Sequence, residues 1–97
     1  MVFIGDTATI IITVQDSDGA ALNISAATTK EIIVKRPGLT AVALPAAFTN
    51  TGTDGKIQID YEDITVVGQY QVQGKVVLSG NTYHTAIDDF SAGAPLL

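Results

Sequence analysis

Apolar and polar residues alternate with a period of two along much of this sequence, in short segments that never give way to a helical period. In Thr7 to Gln15, Ala8, Ile10, Ile12 and Val14 share one face and Thr7, Thr9, Thr13 and Gln15 the other, with Ile11 as the exception. Successive side chains of an extended strand point to opposite sides, so this pattern predicts a strand buried on one face. It stops at Asp16-Ser17-Asp18-Gly19, where Gly19 supplies a positive φ and the Asp side chains bond the local backbone. The pattern resumes over Ala21 to Ile24 and leads through a polar turn, Ser25 to Thr29. Glu31 to Arg36 is a second strand, stopped by Pro37-Gly38; Leu39 to Leu44 alternates again, and Pro45 restricts the next residues to a sheet edge or a connection. After the loop Asn50 to Gly55, Lys56 to Tyr61 directs Ile57, Ile59 and Tyr61 to one side. A link carrying Ile64, Val66 and Val67 opens into Gly68 to Leu78, where Tyr70, Val72, Val76 and Leu78 face in and Gln69, Gln71 and Gln73 face out. Gly74 in that strand marks a bulge or a close approach. Ser79 to Thr82 turns the chain into a last strand, Tyr83 to Phe90. About seven short strands of this kind predict an all-β chain folded as a two-layer antiparallel β-sandwich.

The 97 residues, 46% of them hydrophobic, suffice for one core and not for two. A single domain over residues 1–97 is the expectation, with short apolar extensions at each end. Five Lys and Arg stand against ten Asp and Glu, for a net charge of -5. Nucleic acid is therefore not expected as a partner, because holding a phosphate backbone needs concentrated positive charge. The chain has no cysteine, which removes disulfides and thiolate metal sites. Its first residues lack the basic and long apolar regions of a secretion signal, and no window approaches the roughly 20 apolar residues that span a bilayer. Synthesis and folding in a cytoplasm, with no membrane partner, are expected.

Residues capable of chemistry are few and scattered. His84 is the single histidine; Asp88 lies four residues on, about 13 Å along an extended strand, too far to orient it as a general base. Asp16-Ser17-Asp18-Gly19 resembles the start of a calcium loop, but the later ligands of the twelve-residue pattern are missing, and a turn is the better reading. Asp60, Glu62 and Asp63 read as solvated charge. With no Trp, a sugar-stacking role would fall to Tyr83, were it exposed. The expectation is a protein without catalytic, cofactor or metal residues, and not an enzyme.

Asp63 to Tyr70, DITVVGQY, resembles the corner of immunoglobulin-like domains, in which an acidic residue, a Gly and a Tyr precede a central strand and the Tyr hydroxyl bonds back to the backbone. A wider set comprises GDTATIIITVQDSDGAALNIS, EIIVKRPG, TGTDGKIQIDY and VGQYQVQGKVVLSGNTYHT. Together with a final acidic-Phe element, it resembles a small immunoglobulin-like domain of tailed-bacteriophage virion proteins, similar to the N-terminal domain of the upper baseplate protein family. The disulfide and Trp of true immunoglobulin domains are absent. In baseplate proteins the domain continues into a stalk or receptor-binding parts, whereas this sequence ends at Leu97. The resemblance then implies an accessory that clips onto a shell or tube.

The function expected on this basis is a bacteriophage virion structural protein made in the host cytoplasm, foremost a capsid decoration (cement) protein that stabilises the head shell. A tail, neck or baseplate accessory is the alternative, and a host-surface or carbohydrate-binding module a further one. Its implied partners are other virion proteins, the major capsid protein or tail and baseplate proteins, with the chain in many copies or as a homo-oligomer. Candidate interaction residues are Val2, Phe3, Ile4, Leu96 and Leu97 at the apolar ends, and Gln69, Gln71 and Gln73 on one strand face. The same ends could instead cover the domain's own core.

Overall fold

The computed structural model describes residues 2–96, which form nine strands and no helix. The strands are β1 (Val2–Phe3), β2 (Ala8–Thr13), β3 (Thr29–Lys35), β4 (Val42–Pro45), β5 (Ala47–Phe48), β6 (Lys56–Tyr61), β7 (Gly68–Leu78), β8 (Asn81–His84) and β9 (Asp88–Gly93). The larger sheet has the order β1-β9-β7-β3-β4, with β8 also paired to β7; the smaller has the order β2-β6-β5.

The two sheets share one core. In the smaller, the antiparallel register sets Ala8, Ile10 and Ile12 opposite Tyr61, Ile59 and Ile57, so the buried phase of both strands forms one apolar layer. Ile32, Val34, Tyr70, Val72 and Val76 of the larger sheet complete the core from the other side, and Val14, Ile24, Ile64 and Ala92 close its ends. The alternation in the sequence thus marks the buried phase correctly in β2, in β6 and, from Tyr70 to Val76, in β7, while Leu78, expected to face in, lies outside the core; Ile11 is 52% exposed on the outer face of β2.

Four expectations need correction, the last of them the strand expected over Tyr83 to Phe90. Nine strands replace about seven, the additional ones including the two-residue β1 and β5. The larger sheet is mixed, because β1 lies parallel to β9, Val2 opposite Ala92 and Phe3 opposite Gly93. Ala21 to Ile24 forms no strand beyond one bridge, Gln15 to Ala21. Ile24 is fully buried as a plug in a loop, and its N–H donates to the Gly52 carbonyl at 2.9 Å. An apolar residue there serves the core without a ladder around it.

The expected last strand is interrupted for a definite reason. Between the pairs Lys75–His84 and Val72–Asp88, β7 advances three residues while its partner advances four. The additional residue makes a β-bulge over Thr85 to Ile87, and β8 and β9 are two halves of one bulged strand. Gly74 faces it: a Cβ there would lie 3.0 Å from Thr85 Cγ2 and 3.2 Å from Ile12 Cγ2. The Gly74 N–H donates to Thr85 Oγ1 at 2.8 Å, and the Gln73 side-chain amide donates to the Thr85 carbonyl at 2.9 Å.

Two local devices hold the ends of the strands. Asp16 Oδ1 accepts from the N–H groups of Asp18 and Ala20, at 2.9 and 3.1 Å, which makes Asp16 to Gly19 the expected turn. At the entrance to β7 the Tyr70 hydroxyl donates to the Val66 carbonyl at 2.7 Å and accepts from the Val66 N–H at 3.2 Å. Tyr70 is fully buried, and Phe90 stacks on it with ring centroids 5.0 Å apart.

Candidate protein-interaction surface

The outer face of the larger sheet follows directly from strand periodicity. Its centre is β7, whose outward phase carries Gln69, Gln71, Gln73 and Lys75 while Tyr70, Val72 and Val76 point into the core. The register then sets Ile33 of β3 beside Gln73 and Ala43 of β4 beyond it, and Lys35 and Asp89 on either side of Gln71. Lys75 lies between Glu31 and His84, with a Lys75 Nζ to Glu31 Oε1 distance of 3.9 Å. Partly exposed, that pair contributes little to stability.

A shallow depression of about 130 Å³ sits in this face, lined by Ile33, Lys35, Ala41, Gln71, Gln73 and Ile87. Ile87 is 62% exposed. It projects here because the bulge shifts the register by one residue, which sends an apolar side chain outward instead of into the core. The depression therefore combines two isoleucine side chains and two neutral amides with one cationic residue, Lys35.

The three glutamines have different fates. Gln69 Oε1 accepts from Ser91 Oγ at 3.0 Å, and Gln73 is committed to the bulge, so both support the sheet they stand on. Gln71 is exposed at the wall of the depression. The terminal candidates also divide. Val2 is half-buried against the core, and the Ile4 N–H donates to the Gly93 carbonyl at 3.0 Å, so these two serve the chain's own fold. Phe3, 41% exposed, stays available, and Leu96 is fully exposed. Leu97 lies outside the described residues.

Ile33 and Ile87 were not among the residues singled out from the sequence. A signal for Ile33 existed: in Glu31-Ile32-Ile33-Val34 an apolar residue occupies the polar phase, as Ile11 does in β2. Ile87 had none, since only the bulge turns it outward. Tyr83, the sugar-stacking candidate, is half-buried against the core; among the described residues Phe3 is the one exposed aromatic ring. His84 is exposed beside Lys75, with the bulge separating it from Asp88. Among the described residues no group of three or more His, Asp or Glu side chains gathers as a metal site.

Comparison of the chain with protein-family models, with curated proteins and with solved structures finds no match.

Proposed function

We propose that this chain is an immunoglobulin-like domain acting as a non-enzymatic structural protein of a bacteriophage virion, foremost a decoration protein that binds the head shell through the outer face of its larger sheet. Two features support the immunoglobulin-like part. The order β2-β6-β5 corresponds to strands B, E and D of that fold, and β9-β7-β3-β4 to G, F, C and C′. Tyr70 then occupies the start of the F strand, with its hydroxyl bonded back to Val66, as in a tyrosine corner.

The binding part rests on one observation: the depression formed by Ile33, Ile87, Gln71 and Gln73 in the middle of a broad sheet face. Apolar groups beside a neutral amide favour a protein surface, which can cover the isoleucines and bond to Gln71, while Lys35 at the margin of the depression sets a charge that the partner has to leave in water or match. Repetition over a symmetric lattice would multiply a contact that is weak in one copy. Bacteriophage origin is carried by the resemblance of the wider set of segments, GDTATIIITVQDSDGAALNIS, EIIVKRPG, TGTDGKIQIDY and VGQYQVQGKVVLSGNTYHT, to a small domain of tailed-bacteriophage virion proteins.

The test starts from particles. Heads purified without the chain should bind the added protein to a saturating number of copies and release their DNA at a higher temperature. Ile87→Lys should reduce that binding while leaving the fold intact. Recovery of the chain with tails or baseplates would instead select the accessory reading. Specific glycan binding by a monomer that ignores virion proteins would refute the proposal.

A further inference from the structure

We infer that the chain also pairs with a second copy of itself along the free edge of β4, joining two larger sheets into one. This stands apart from the virion reading and does not rest on it. β4 is the last strand of its sheet, so one side of its backbone has no ladder partner among the described residues. The hydrogen-bond phase decides which groups are left over. The Ala46 N–H donates to the Lys30 carbonyl at 3.0 Å, and β3 pairs with β4 so that Ile32 faces Leu44 and Val34 faces Val42. In an antiparallel pair the bonded and non-bonded positions alternate, so Leu44 and Val42 turn their backbone groups toward β3. Ala43 turns its N–H and C=O outward, and Ala41, next along, continues the alternation. Pro45 falls on the outward phase, where its missing N–H costs the ladder nothing.

Charge and side-chain size identify the occupant. Residues 37–53 contain no Asp, Glu, Lys or Arg, so all of the charge lies elsewhere in a chain of net charge -5. Both sheet edges on this flank, β4 and β5, come from that run. Natural edges are commonly guarded by charge, and here the only guard is Pro45 at one end. The outward-phase side chains next to the edge, Ala41 and Ala43, are methyl groups too small to grip a large side chain of a foreign strand or to obstruct a close neighbour. They do suit a copy of themselves. Antiparallel pairing about a two-fold axis at Val42 would join Ala41 of each copy to Ala43 of the other, and would bring together two Val42 side chains that are each 46% exposed. A groove of about 490 Å³ lies beneath the edge, lined by Leu44, Pro45, Ala47 and Ile59 together with Gln58 and Asp60, and it stays open to water around that carboxylate. A two-fold axis perpendicular to the sheet also sets both outer faces, each with its Ile33 and Ile87, on one side of the pair.

Sedimentation equilibrium and amide hydrogen exchange test the inference. With rising concentration the mass should approach twice 10.1 kDa, and exchange at Ala43 should slow while the β3 ladder stays unchanged. Added salt should strengthen the pair, since it screens repulsion between two acidic copies and weakens no ion pair at the edge. Ala43→Pro and Ala43→Lys should each weaken association by at least about tenfold. The lysine variant, which leaves the backbone donor in place, decides the matter if the proline variant does not fold. A mass that stays at 10.1 kDa at millimolar concentration would overturn the inference, as would undiminished pairing of folded Ala43→Lys. Head binding without self-association counts against this inference alone, and self-association without head binding against the virion reading alone.

Discussion

Tyr70 does two things with one side chain. Its ring fills the core between Tyr61 and Phe90, and its hydroxyl completes both backbone groups of Val66 at the corner that starts β7. Tyr70→Phe keeps the ring and removes the hydroxyl, so the Val66 carbonyl and N–H lose a partner in a partly buried place. The expected cost is about 1 to 2 kcal/mol, read as a lower urea midpoint with an unchanged slope. An unchanged midpoint would mean that water replaces the hydroxyl without loss. Here the sequence was informative down to the bond: DITVVGQY suggested that a Tyr hydroxyl returns to the preceding backbone, and the acceptor lies four residues upstream. Ile24 shows the opposite case. It carries the signature of a strand residue, yet it is buried in a loop, because burial of a single apolar side chain needs a hole in the core and not a ladder.

At the scale of elements, β7 is the organising strand, paired to β3 along one edge and to the bulged β8–β9 along the other. Gly74 makes the bulge possible, since its bare Cα admits Thr85, Ile12 and Ile57 together. Gly74→Ala adds a methyl group where the nearest atoms would stand 3.0 to 3.4 Å away, and overpacking of this kind costs about 1 to 3 kcal/mol. Thr85→Ser in the same chain removes Cγ2 but keeps the hydroxyl that accepts from residue 74, and should restore part of the loss. Thermal unfolding of the single and double variants measures this coupling, and strictly additive effects would refute the contact. The glycine was visible in the sequence as a break in the alternation of β7. Of the bulge or close approach expected at Gly74, the close approach is there; the bulge lies across from it, at Thr85 to Ile87, because the extra residue is a mismatch of count between two strands and neither strand says alone which of them carries it. Gly55 is constrained in the same long-range way. Its φ is +75°, and a Cβ would meet the Val14 carbonyl oxygen at 2.6 Å, across a loop that also anchors Ile24.

For the whole molecule, what matters is how the sheets meet. Tyr61 of the smaller sheet and Tyr70 of the larger touch edge to face, with centroids 6.5 Å apart, and Lys30 of β3 lies 4.5 Å over the Phe48 ring of β5. Burial raises the pKa of the Tyr61 hydroxyl above its ordinary 10.0; Arg36 opposes the shift, and Asp63 and Tyr70 add to it. The folded chain therefore retains this proton to higher pH than the unfolded chain does. The resulting stabilisation is fully present below the ordinary tyrosine pKa and disappears as pH rises through the folded value. The urea midpoint should accordingly fall more steeply above pH 10 in the natural chain than in Tyr61→Phe, and parallel falls would exclude Tyr61 as the cause.

The sequence by itself determined the all-β class, the buried phase of β2 and β6 and of β7 from Tyr70 to Val76, and the Asp16 to Gly19 turn, because each depends on residues close together in the chain; the Tyr70 to Val66 bond came from the resemblance of DITVVGQY to a known corner. The parallel pairing of β1 with β9, the bulge opposite Gly74, the plug at Ile24 and the exposure of Ile87 were decided only by the tertiary structure. Each is a relation between distant segments, where register, residue count and available volume in the partner set the outcome. The candidate surface shares both origins: its glutamines were legible in one strand, and its isoleucines came together only when three strands were aligned.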